Sequence, residues 1–237
     1  MASPLTGLVE VVSRPLFRAA RVDRVEDLTP RVRLASFTAE GLAPGSWRPG
    51  DKVQVRMAGL TTRTYTPIAT EGGADGFRIV GFVHGDGPGA GWVRGLEPGV
   101  EVAVFGPRRS IDCSRLEGRV VVVGDETSVG LAAAVAGVGG AIVETLFEAT
   151  DPDDVRVPAE RLGLGVDEVV ARQGGGAHLP ALVELVAERL AGGDATLVVS
   201  GDAATVAAVR RHLKDTGVRP ARTLAKAYWA EGRRGLD

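Results

Sequence analysis

The sequence predicts an antiparallel β-barrel followed by an α/β domain on a parallel sheet. From Leu16 to about Ser110, short stretches of alternating polar and apolar residues are punctuated by glycine and proline. That is the pattern of half-buried strands in a sandwich or barrel. After Gly118, β-branched runs alternate with alanine- and leucine-rich stretches at helical spacing, as in a sheet buried on both faces by crossover helices. The change falls near Ile111 to Gly118, so the predicted domains are residues 14–112 and 118–237.

Within the first domain, Arg31 to Phe37 alternates Val32, Leu34 and Ser36 against Arg31, Arg33 and Ala35. Lys52 to Met57 places Val53 and Val55 on one face, and strands at Phe77 to His84 and Val100 to Phe105 follow. Pro98-Gly99 marks a turn, and a short helix is expected at Trp92 to Leu96. In the second domain, Arg119 to Val123, Ala141 to Ala149, Val169-Val170 and Ala195 to Ser200 read as strands. Ser128 to Val138, Leu179 to Ala191 and Ala203 to Lys214 read as helices, the second with Leu182, Leu185, Val186 and Leu190 on one face.

Composition narrows the class. A hydrophobic fraction of 44% and a charged fraction of 24% suit a folded globular chain. A formal net charge of -2 gives no general attraction to nucleic acid or to an anionic membrane, so any electrostatic capture must be local. No apolar run is long enough for a membrane span, and Met1 to Glu10 lacks the form of a signal peptide, so a cytoplasmic location is expected. A single cysteine, Cys113, permits no intrachain disulfide and no cysteine metal site, and reads as a core or turn residue. His84, His178 and His212 lack the spacing of a metal set. His212 lies among Arg210, Arg211 and Lys214 and is expected to be solvated, while His178 sits in a glycine-rich loop with no evident partner.

Four stretches carry chemical content. Arg63-Thr64-Tyr65-Thr66 projects from a barrel strand. Its arginine suits a pyrophosphate and its tyrosine a flat ring, although a packed tyrosine beside a solvated arginine is equally compatible. His84-Gly85-Asp86-Gly87-Pro88-Gly89-Ala90-Gly91-Trp92 is either a phosphate loop or a plain glycine-rich turn. It loosely matches the G-x-G-x-x-G/A fingerprint but lies in the all-β half, which excludes a Rossmann role. Gly124-Asp125-Glu126-Thr127 follows a parallel strand, where open α/β sheets bind ligands, and would also cap the next helix. Gly201-Asp202 occupies the same kind of position, and capping accounts for it.

Taken in order, these stretches resemble the siderophore-interacting family of FAD-binding reductases, a branch of the ferredoxin-reductase-like superfamily. Arg63 to Thr66 matches the family's R-x-Y-T/S, His84 to Trp92 its H-G…G-P-x-[AS]-x-W loop, and Gly124 to Thr127 its G-D-E-T. Gly106-Pro107 resembles the start of G-P-x-G-S, with Arg109 in place of the glycine, and Lys226 to Gly232 resembles the closing G-Y-W-x-x-G. Pro67-Ile68 departs from the family and is similar to general ferredoxin or cytochrome b5 reductases.

The resemblance implies a ferredoxin-reductase-like pair of domains, an FAD-binding antiparallel β-barrel and an NAD(P)H-binding-like α/β domain. It implies a flavin hold at Arg63, Thr64, Tyr65 and Thr66, and a pyrophosphate loop at His84, Gly87, Pro88, Gly89, Ala90, Gly91 and Trp92. Asp125, Thr127, Tyr228 and Trp229 complete the implied cofactor contacts. The implied activity is reduction of ferric siderophores by FAD, fed by NAD(P)H or a small electron-carrier protein, with no catalytic acid or base and no resident metal. Arg108, Arg109, Lys226, Arg233 and Arg234 are candidates for capturing an anionic siderophore, and Arg172 for the 2′-phosphate of NADPH. Two alternatives stay open: a general NAD(P)H-dependent flavin reductase serving another acceptor, and a flavin-binding module without turnover.

Overall fold

The computed structural model describes residues 17–43, 45–57 and 61–233. Residues 14–16 of the predicted barrel domain and the candidate Arg234 lie outside the described residues.

Six strands make the first sheet: β1 (Arg18–Asp27), β2 (Val32–Thr38), β3 (Lys52–Arg56), β4 (Thr62–Tyr65), β5 (Gly76–Phe82) and β6 (Glu101–Arg108). Every pairing is antiparallel, in the order β4-β3-β6-β1-β2-β5. The sheet is barrel-like but is not a closed ladder. Its two ends meet only through a bridge from Ile68, just past β4, to Arg78 of β5, with N–H···O distances of 2.9 and 2.8 Å. Inside lies a core that includes Phe37, Val53, Val55, Phe77, Ile79 and Val104, all excluded from solvent.

Two elements here differ from expectation. β1 escapes the sequence pattern, because only Ala20 and Val22 of its ten residues are buried and a bulge after Val22 interrupts the alternation. The helix expected at Trp92 to Leu96 is α1 (Pro88–Arg94), which starts four residues earlier. Pro88 occupies its first turn, where a fixed φ and a missing N–H cost nothing, and Gly95 ends it.

The second sheet is parallel, with β7 (Gly118–Gly124), β8 (Ala141–Ala149), β9 (Glu168–Ala171), β10 (Thr196–Asp202) and β11 (Arg222–Trp229) in the order β11-β10-β7-β8-β9. Its crossovers are α2 (Val129–Ala136), α3 (Asp153–Arg161), α4 (Leu179–Leu190) and α5 (Ala203–Thr216). β7 shows why the run of valines is needed: Val120 and Val122 pack toward α2 and α3, while Val121 and Val123 pack toward α4 and α5. α3 and β11 escape the pattern too, since α3 carries Pro158 within it and β11 is a polar edge strand with no fully buried residue.

Three contacts join the sheets. Asp154 of α3, almost fully buried, pairs with Arg31 at 2.5 Å and accepts from Thr29 Oγ1. Arg161 of α3 donates to both carboxylate oxygens of Glu26 at 2.9 Å and to Glu71 at 2.8 Å. Gly130 of α2 faces Thr66 and Ile68, where a Cβ would sit 3.6 Å from Ile68 Cδ1. The segment after β4 is thereby held against the carboxyl edge of the parallel sheet.

Candidate functional site

That junction contains a cavity of about 440 Å³, within the range of cofactor and small-molecule sites. The barrel contributes Arg63, Tyr65 and Thr66 from β4 and its continuation, and His84 and Gly87 to Ala90 from the glycine-rich loop. The α/β domain contributes Thr127, Gly130, Tyr228 and Trp229. Lys52, Arg63, Lys226 and Arg233 are the charged groups of the lining, and no Asp or Glu lines it among the described residues. A chain of net charge -2 therefore concentrates positive charge in this one hollow.

The glycine-rich loop is shaped around Arg63. A Cβ placed on Gly89 would lie 3.4 to 3.6 Å from the Arg63 side chain, so a larger residue would crowd the arginine. Arg63 also donates to the Thr62 carbonyl at 2.8 Å. Both tyrosines of the chain are here. Burial pushes Tyr65 well above the ordinary phenol range, despite the nearby Arg63. Burial likewise pushes Tyr228 up to about 12, with partly opposing side-chain hydrogen bonds to Thr66 and Ser200. Both stay neutral donors at physiological pH, suited to lie against or hydrogen-bond a flat polar ring.

A dense polar cluster backs the cavity along the carboxyl edge of the parallel sheet. Asp125, fully buried, accepts from Thr127 N at 2.8 Å and from the Trp229 indole Nε1 at 2.6 Å. Arg172 sits 2.9 Å from Glu126, 3.8 Å from Asp125 and Glu148, and 5.7 Å from the Trp229 ring centre. Burial pushes the Glu126 carboxyl up, partly offset by Arg172, while for Arg172 the three carboxylates outweigh burial and raise it. Glu148 also accepts from Thr205 Oγ1 at 2.7 Å and pairs with His178 Nε2.

Most residues singled out from sequence meet in the cavity, and several do not. Arg63, Thr64, Tyr65, Thr66, His84, Gly87, Pro88, Gly89, Ala90, Thr127, Tyr228 and Trp229 line it, as do Lys226 and Arg233. Gly91 lies outside the lining, and Trp92 turns into the barrel core, 5.4 Å from Tyr65 and stacked 6.5 Å from Phe37. Asp125 lies behind the wall. Arg108 stacks 4.4 Å over Phe105 and donates to Gln54, and Arg109 is exposed and reaches Asp112 at 3.4 Å, so neither lines the cavity. Arg172 is held by Glu126 rather than free for a 2′-phosphate.

His178 has partners that the sequence does not reveal: Glu148, and the Gln173 N–H that its Nδ1 accepts at 3.2 Å. His212 is half-buried with Glu184 at 3.6 Å rather than solvated. Asp125 and Asp202 both cap as expected, the latter accepting from Ala204 N at 3.1 Å. Cys113 is a core residue, its thiol pushed up to about 12 by burial and secondarily by Asp112. Lys52, Phe82 and Ser110 also line the cavity, although no sequence motif singles them out. They come from different strands and loops and form no local pattern.

Comparison with known proteins agrees with this layout. Residues 50–111 match a family model described as the siderophore-interacting FAD-binding domain, and residues 118–232 match one described as siderophore-interacting protein. The chain belongs to the siderophore-interacting protein family. Among solved structures, a siderophore utilization protein from T. fusca is 24% identical with a TM-score of 0.72, over 93% of this chain and 95% of that one. The siderophore-interacting protein from Acinetobacter baumannii is 17% identical with a TM-score of 0.72, covering 92% of each chain. Ferredoxin-NADP+ reductase from Plasmodium falciparum is 10% identical with a TM-score of 0.69, over 90% and 96%. Full-length CYP116B46 from Tepidiphilus thermophilus also matches, with a TM-score of 0.72 and 16% identity, but this chain covers only 30% of it. No curated protein matches significantly. The fold of this family member is ferredoxin-reductase-like, and its matched domains support an FAD-binding oxidoreductase. No helix among the described residues is long and apolar enough to cross a membrane.

Proposed function

We propose that the chain is a cytoplasmic ferric-siderophore reductase that holds FAD in the cavity between its two sheets. The cavity's cationic and aromatic lining carries this reading: Arg63 and the Gly87 to Ala90 loop suit a diphosphate, and Tyr65, Thr66, Tyr228 and Trp229 suit a flat ring. Bound FAD supplies the passage from a two-electron or one-electron donor to one-electron reduction of Fe(III). The chain's own part is to bind, orient and desolvate, with Tyr65 and Tyr228 remaining protonated donors. Lys226 and Arg233 remain as the cations for an anionic siderophore. Ferric iron is the substrate, and its reduced complex releases it.

For the donor, the carboxyl edge of the parallel sheet does not fit a dinucleotide. Thr127 N and Ser128 N are taken by Asp125, and Ala204 N by Asp202, so these first-turn amides are already satisfied at the switch point between β7 and β10. Arg172 is committed to carboxylates. A small electron-carrier protein therefore fits better than NAD(P)H. Anaerobic mixing of the flavin-loaded protein with NADH, NADPH or a reduced iron–sulfur carrier, followed by a ferric siderophore, tests both steps. Flavin bleaching by the carrier and reoxidation by the siderophore are expected. Bleaching without reoxidation points to another acceptor, and no bleaching by any donor points to a binding module.

A further inference from the structure

We propose that Asp125 is a positioning residue that fixes the Trp229 indole as a wall of the cavity. A helix cap needs one acceptor oxygen, which serine, threonine or asparagine would supply. Asp125 divides its two. Oδ1 serves its own turn, accepting from Thr127 N at 2.8 Å and Thr127 Oγ1 at 2.5 Å. Oδ2 is turned away from that turn toward β11 and accepts from Trp229 Nε1 at 2.6 Å. A fully buried carboxylate is costly unless its oxygens are satisfied, so the second acceptor is specific to this contact.

The surroundings are built for the same contact. Gly201 has φ +102°, and a Cβ there would lie 2.5 Å from Asp125 Oδ2, so only glycine leaves the carboxylate its place. Arg172, itself held by Glu126, lies 5.7 Å from the Trp229 ring centre, within cation–π range. His84 of the barrel loop is 6.1 Å from the same ring. Trp229 is thus gripped from the α/β domain while it faces the loop that lines the other side of the cavity. The role for FAD rests on the proposed function; the grip on the indole does not.

Asp125→Asn separates the two duties. The amide oxygen keeps the cap on Thr127, while the amide NH₂ would face the indole N–H, donor against donor. Trp229→Phe removes the indole and identifies its signal. In ¹⁵N-indole spectra of the cofactor-free chain, the cross-peak lost in Trp229→Phe should be shifted downfield and protected from solvent exchange in the wild type. It should move upfield and lose protection in Asp125→Asn. Each variant should weaken FAD binding about three- to ten-fold, the scale of one charge-assisted contact, and the double variant no further than the larger single loss. An unprotected Trp229 indole in the wild type, an unmoved cross-peak in Asp125→Asn, or multiplying losses in the double variant would each overturn the proposal. If Asp125→Asn does not fold, indole protection in the wild type decides alone. Failure of the wild type to bind FAD would instead count against the proposed function, leaving the spectra to judge the grip.

Discussion

Replacing Gly201 with alanine puts a methyl group where the Asp125 carboxylate sits. The added Cβ would lie 2.5 Å from Oδ2, 2.6 Å from Cγ and 2.8 Å from Oδ1, at a φ of +102° that L-residues rarely adopt. The backbone alone costs about 1–2 kcal/mol. Displacing Asp125 also weakens the cap on Thr127 and the bond to Trp229, each worth about 1 kcal/mol or more. The expected loss is about 3–4 kcal/mol, or roughly 6–16 °C in Tm for a chain of this size. Gly217 provides the control, because it has φ +75° and an added methyl group there would meet nothing within 4 Å. Gly217→Ala should cost only about 1 kcal/mol. Thermal melts of the two variants side by side are sufficient. Equal losses would refute the steric account of Gly201, since both would then be reporting backbone conformation alone.

Alkaline titration followed by phenolate absorbance should show neither tyrosine ionising near pH 10, because Tyr65 is raised further than Tyr228, which lies at about 12. Above pH 10 the unfolded chain loses these protons first, so stability should fall as pH rises, by up to about 1.4 kcal/mol per pH unit for each tyrosine; a normal titration would show that the rings are solvated. Arg161→Ala removes the bidentate pair with Glu26 and should cost about 1 kcal/mol, shrinking in high salt, as read by urea denaturation. No change at any ionic strength would show that α3 docks without it. Cys113 should resist a thiol reagent in the native state and react at once on unfolding; rapid native labelling would contradict its burial.

Much of the fold is legible in the sequence because its grammar is local. Val120 to Val123 announce a two-sided strand, and Leu182, Val186 and Leu190 a helix face. β1 and β11 are not legible, since an edge or bulged strand with few buried residues carries little periodicity. α3 hides behind Pro158, tolerated inside a helix whose Asp154 and Arg161 are anchored to the barrel. The cavity's motifs are legible as motifs, but side-chain direction is not. Trp92 ends the glycine-rich loop and points to Phe37, while Trp229 ends the last strand and points to the cavity. His178 and Glu148 are thirty residues apart and meet only because β8 and the loop after β9 end at the same edge.

Uptake of FAD by the cofactor-free protein tests the central claim most directly. Titration followed by flavin absorbance and fluorescence should show one FAD bound per chain. Arg63→Ala should weaken that binding roughly ten- to a hundred-fold, the loss of one charge-assisted contact to a diphosphate. No flavin uptake by the wild type, or equal affinity in Arg63→Ala, would contradict an FAD site in this cavity.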